Sequence, residues 1–190
     1  MHRTTFNRAL NRNLHEVGRC ILYLKAMKGL ESADTDHAVD FVRLSYWALS
    51  NDCIAGAMRV FDRTRSAASF WYLRRCEQAE VDRATTVAEL TLADVEVLAS
   101  ALKLVRNKTH FHIDKIAVFD PQSVWLQANI KRTQLEQVLR KTYQLLNHLH
   151  RTRFGDDFPL PDYDGDDACA IAKFAESLRQ RQPGRELLTD

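Results

Sequence analysis

No proline occurs before Pro121, and the other three lie at Pro159, Pro161 and Pro183. Proline removes a backbone donor and clashes with the preceding helical turn, so a stretch this long without it leaves helix formation unhindered. Only six glycines accompany the four prolines. The 190 residues, 45% hydrophobic and 27% charged, are enough to bury one core and too few for two ordinary ones. An all-α antiparallel bundle of about five to seven helices is expected, spanning 1–153. Residues 154–190 read as an acidic loop and one more helix packed on its outside.

Apolar spacing places the helices. Leu10, Leu14, Val17, Ile21 and Leu24 step by three or four and define a first helix from about Thr5 to Lys28, ended by Gly29. Val39, Val42, Tyr46, Leu49, Cys53, Ala57 and Val60 continue one stripe along a long second helix. "SAASFWYLRRCEQ" gives a shorter third. Thr91 with Asp94 makes a capping-box-like start for "TLADVEVLASALKLVRN", whose stripe is Val95, Leu98, Leu102 and Val105. Asp120 is placed to cap a turn with Pro121 at the first helical position, and Thr133 with Glu136 opens a last long helix. Tyr46, Trp47, Phe70, Trp71 and Tyr72 are read mainly as core, base stacking being the rarer use.

Cys20, Cys53, Cys76 and Cys169 form no C-x-x-C pair and read as core thiols of a reducing compartment. No apolar run suits a signal peptide or a membrane span, so a soluble, cytoplasmic protein is expected. The net charge of +2 conceals alternating blocks: +5 over 1–75, −5 over 76–100, +7 over 101–153 and −5 over 154–190. Both positive blocks suit an anionic partner such as RNA, although solvated basic helix faces would produce the same count.

The segment "RNKTHFHIDK", Arg106 to Lys115, follows the fourth helix and admits three readings. His110-x-His112-x-Asp114 resembles a zinc-hydrolase motif, but that motif belongs at a strand end, and here a helix precedes it and Lys115 follows. The acidic run Asp162, Asp164, Asp166 fails as a calcium loop, since Asp167 and Lys173 stand where glycine and glutamate are needed. No metal and no cofactor are expected. In a structural reading, Arg106 forms a buried ion pair with Asp62 or Asp114, and His110 and His112 are satisfied rim residues.

In the third reading Arg106 and a histidine act on a phosphodiester without metal. RNA supplies its own nucleophile, the 2′-hydroxyl. The enzyme then needs a proton-transfer group near neutral pH, which histidine is, and a fixed cation for the charge developing at phosphorus, which arginine's fork provides. Asn107 adds hydrogen bonds to phosphate or hydroxyl. His110, four residues from Arg106, shares its helical face; His112, six away, lies about 240° round unless the helix breaks or a second subunit supplies it.

Arg106-Asn107 followed by His112 fits the R-x(4–6)-H motif of the HEPN superfamily, all-helical domains many of which are metal-independent RNases. "RNKTHFHIDK", "WALSNDCIAGAMRVFDRTRSAASFWYLRR" with its Arg59-Val60-Phe61-Asp62 segment, and "LEQVLRKTYQLLNHLH" most resemble the abortive-infection (Abi) HEPN-like branch, over roughly Phe41 to His150. The resemblance implies a homodimer in which two motifs meet. It assigns Arg106 to transition-state stabilisation, His112 to acid or base work and Asn107 to orienting phosphate, with His110 as the alternative to His112. Lys108 and Lys115 match the branch pattern and are expected to contact RNA; Asp114 matches it without an assigned role. Further implications are a toxin or defence role and an antitoxin partner. Asp114 occupies the position where nucleotidyltransferase-controlled toxins of this superfamily carry tyrosine, so adenylylation there is excluded. Many HEPN-like domains bind without cleaving, which keeps a non-catalytic nucleic-acid or nucleotide-binding dimer, or a helical interaction protein, as alternatives.

Overall fold

The computed structural model describes residues 2–33, 40–110 and 120–180. They form eight α-helices and one π-helical turn, and no strand occurs among them: α1 (His2–Ser32), α2 (Asp40–Val60), α3 (Phe70–Cys76), α4 (Gln78–Val87), α5 (Leu92–Val105), the π turn (Arg106–His110), α6 (Pro121–Ala128), α7 (Arg132–Phe154) and α8 (Asp166–Gln180). The all-α class inferred from spacing is the class observed.

The chain divides into two compact units. Among the described residues, the first comprises 2–21, 54–110 and 120–160, and the second comprises 22–33, 40–53 and 161–180. The second unit therefore joins the acidic tail to a segment that the spacing alone places within the bundle.

Within the first unit the expected stripes face inward. Leu10, Leu14 and Val17 of α1, Ala57 and Val60 of α2, Val95, Leu98, Leu102 and Val105 of α5, and Leu135, Val138, Leu139 and Leu146 of α7 are all buried. Phe70 and Leu73 of α3 and Val81 and Ala84 of α4 complete this core. Thr91 caps α5, its hydroxyl accepting from the Asp94 amide at 3.1 Å. Asp120 caps α6 through the Ser123 amide, and Gly155 ends α7 with φ +89°.

Four local expectations are corrected. The third helix is shorter than its expected segment, and a further helix, α4, follows it unforeseen: Glu77 leaves helical angles (φ −139°, ψ 57°) between the two, with neither proline nor glycine to mark the break, and Arg74 spans it to Asp82 at 2.8 Å. Helix α7 begins one residue ahead of Thr133, with Lys131 as its N-cap residue. Trp47 is exposed rather than core, together with Phe41 and Leu44 on the same stretch of α2; Phe70 is buried, and Tyr46, Trp71 and Tyr72 are half-buried. Helix α1 does not stop at Gly29. Inside the second unit Gly29 meets Gly165 so closely that an added Cβ would strike the Gly165 carbonyl, so this glycine serves packing rather than termination.

No helix among the described residues is long and apolar enough to cross a membrane.

Candidate active site around Arg106 and Asp62

Arg106 is delivered by α5. The buried stripe Val95, Leu98, Leu102 and Val105 fixes that helix in the core, and Arg106 follows as the first residue of the π turn. A π turn is a wider i→i+5 winding that recurs at functional sites. The α-helical angles used to compare His110 with His112 hold only as far as Val105.

The Arg106 guanidinium is half-buried, with Nη1 3.2 Å from Asp62 Oδ2 and Nε donating to Asn107 Oδ1 at 3.3 Å. Two of its five N–H donors are thus engaged by described residues. Of the two structural partners foreseen for Arg106, Asp62 is present; Asp114 lies outside the described residues.

Asp62 sits just past the end of α2 in a tightly braced loop. Its Oδ1 accepts from both the amide and the hydroxyl of Thr64, at 2.8 and 2.7 Å, an Asx-type turn. The Ser69 hydroxyl donates to the Asp62 carbonyl, and Trp71 Nε1 donates to the Phe61 carbonyl at 3.1 Å. Asn13, buried on α1, donates to the Ala68 carbonyl at 2.7 Å. Partial burial, the strongest single influence on the Asp62 carboxyl, acts to raise its pKa. The two Thr64 bonds and the neighbouring Arg106 cation together outweigh it and hold the carboxyl below its ordinary value. Asp62 is therefore a fixed anion at neutral pH and a weak base.

A cleft of about 370 Å³ opens beside this pair, with Asp62, Arg63, Thr64, Ser100, Lys103 and Arg106 among its polar walls and Phe61 and Leu102 among the apolar ones. Arg63 is held over the Trp71 ring at 4.7 Å and pairs with Glu96 at 3.0 Å. With Arg63 paired to Glu96 and Arg106 to Asp62, Lys103 leaves the cleft a positive balance of one charge, suited to an anionic ligand.

The other expected site residues are placed unevenly. Asn107 is exposed beside Arg106, and Lys108 is half-buried on the π turn. His110 closes that turn by its backbone. His112 and Lys115 lie outside the described residues, so the arginine–histidine approach falls beyond them. Sequence reasoning missed Thr64, Arg63 and Lys103 as walls of the site; the D-x-T spacing of Asp62 and Thr64 was the available signal for the braced loop. Among the described residues no group of histidine, cysteine and carboxylate side chains is disposed to hold a metal ion.

Comparison of the chain with protein-family models, with curated proteins and with solved structures finds no match. The HEPN resemblance thus rests on the motif residues themselves.

Proposed function

We propose that the chain is a metal-independent endoribonuclease of a toxin or abortive-infection defence system, acting as a homodimer. The observation that carries this reading is Arg106, half-buried and aimed by a braced carboxylate at the edge of a positively balanced cleft. A guanidinium held in advance loses little freedom when it meets charge developing on phosphorus.

In the reaction, the RNA 2′-oxygen attacks phosphorus as a base removes its proton, and the bond to the 5′-oxygen breaks as an acid protonates that leaving group. The products are a 2′,3′-cyclic phosphate and a 5′-hydroxyl. His112 is the proton-transfer residue, with His110 its alternative; Asn107 orients the phosphate, and Lys108 and Lys115 contact the RNA backbone. No cofactor takes part. An antitoxin protein is the expected controlling partner.

A second reading is favoured by the same ion pair: Asp62 engages Arg106 in a way that a purely structural contact also would, as in a non-catalytic nucleic-acid-binding dimer.

One experiment separates the two. Purified protein is incubated with a mixed RNA pool in excess chelator. Cleavage is expected to persist, to leave cyclic phosphate ends, to spare DNA, and to be abolished in Arg106→Ala. Arg106→Lys should also be poor, since lysine keeps the charge but not the fork. His112→Ala should slow cleavage by about 10²- to 10⁴-fold. Inactivation by His110→Ala alone reassigns the proton transfer, while RNA binding without any cleavage favours the second reading.

A further inference from the structure

Asp62 is also a wall of a second cleft in the same unit, of about 230 Å³, which it shares with Arg12, Asn13, Glu16 and Arg59. At its base Glu16 is buried, its side chain only 5% exposed, and three guanidiniums gather on it. Arg12 Nη2 lies 2.7 Å from Oε1. Arg59 reaches Oε2 through Nη2 at 2.9 Å and Nε at 3.3 Å, and Arg19 Nη1 stands 3.8 Å from Oε1. Arg12 and Arg59 line the cleft and both face this one carboxylate, while Arg19 reaches it from outside the lining. The arginine side chains are between about half and two-thirds exposed (Arg12 68%, Arg59 47%, Arg19 46%), while the carboxylate beneath them is not.

This arrangement goes beyond what burying a glutamate requires. A buried carboxylate needs its charge balanced once; further cations crowded on it repel one another unless another anion is shared. Glu16 acts instead as an anchor. It holds the Arg59 fork by two hydrogen bonds and draws Arg12 in by a single charge contact, so that part of the entropy of ordering them is spent before a ligand arrives. The two clefts meet at Asp62, whose own charge is occupied by Arg106 and Thr64. A strand with one phosphate at Arg106 therefore has a second, arginine-lined cleft bordered by the same Asp62.

We propose that Arg12 and Arg59, anchored by Glu16, form a phosphate subsite that holds a neighbouring phosphodiester of the same single-stranded RNA. The subsite deepens the RNase reading and rests on it for the position of the scissile phosphate at Arg106, but its own test measures binding, not cleavage.

The probe is a fluorescent 2′-O-methyl oligoribonucleotide, which lacks the attacking hydroxyl, and its affinity is followed against salt concentration. Arg12→Gln and Arg59→Gln should each weaken binding and flatten the log–log salt slope by about 0.7 for every phosphate no longer neutralised. Glu16→Gln, which keeps the side chain's shape but gives up the charge that anchors the arginines, should weaken binding and leave the salt slope near the parent's; a merely structural network would lose stability with affinity unchanged. Arg140→Gln, at an arginine lining neither cleft, should change little. Arg12 is exposed, so its variant stays informative even if Arg59→Gln folds poorly.

Slopes unchanged in Arg12→Gln, or changed equally in Arg140→Gln, overturn the subsite even where Arg106-dependent cleavage is found. A full Arg12 and Glu16 response in a protein that cleaves nothing keeps the subsite and removes the RNase. Displacement of the probe by millimolar inorganic phosphate, with affinity independent of oligonucleotide length, reassigns the cleft to a free anion and also overturns the proposal.

Discussion

At the scale of single residues Asp62 governs the site, since it positions Arg106 and borders both clefts. Its carboxyl titrates below the ordinary value of 3.8, which fixes the sign of its effect on stability. A carboxylate depressed in the folded state stabilises the fold above its unfolded pKa, and this contribution disappears as pH falls through the lower folded value. Asp62→Asn should therefore cost roughly 1–2 kcal/mol near neutral pH, both partners being partly enclosed, and almost nothing in acid. Urea midpoints of the two proteins, followed from neutral pH down to well below the ordinary carboxylate range, check this; a difference that persists undiminished in acid would show that the charge is not what matters. The same substitution bears on function, for a neutral amide in place of the carboxylate would loosen the aim of Arg106, lowering cleavage without removing any group that transfers a proton.

Among the elements, the approach of α1 to α2 decides where the Glu16 cluster stands. Gly56 of α2 lies against Cys20 of α1, and a Cβ added to Gly56 would come within 2.6 Å of the Cys20 sulfur and 3.6 Å of Glu16 Oε2. The approach to sulfur is closer than side chains tolerate, so the helices must part or the thiol must turn. Gly56→Ala is expected to destabilise the first unit by about 1–3 kcal/mol, the usual cost of overpacking, despite alanine's better helix propensity. The check is a shift in denaturant midpoint with unchanged slope. Stability equal to or above the parent would mean that the approach relaxes freely, and that the arginine forks are not held by it. Cys20→Ala in the same background should restore part of the stability by making room.

For the whole molecule the proposed function turns on assembly. Helix α5 carries a second apolar row beside its buried one: Val97 is exposed, and Ala101 and Leu104 are half-buried at spacings of four and three. The row leads toward the π turn that holds Arg106, which makes it the natural seam for the proposed homodimer. Sedimentation at micromolar concentration should give a dimer for the parent chain and a monomer for Val97→Glu, with cleavage abolished alongside dimerisation. A monomeric parent would count against the composite site, whereas a Val97→Glu dimer with full activity would move the interface elsewhere.

The helices, their inward stripes and two of their caps were legible in the sequence because each is set within a turn or two of chain. The three-and-four spacing of Val95, Leu98, Leu102 and Val105 decides which face is buried, and Thr91 and Asp120 reach amides three residues ahead. The sequence also supplied Arg106 and Asp62 as possible partners, but not the choice between Asp62 and Asp114. Only tertiary packing decided it, since 44 residues separate Arg106 from Asp62 and the pair exists because the end of α2 is braced beside the end of α5. The arginines on Glu16 are of the same kind: Arg12 and Arg19 lie on the same helix as Glu16, but Arg59 arrives from 43 residues away. Gly29 shows the opposite failure. Its local signal, a helix stop, is overridden by close contact with Gly165, because a glycine favours an end only where nothing else requires the space its missing side chain leaves.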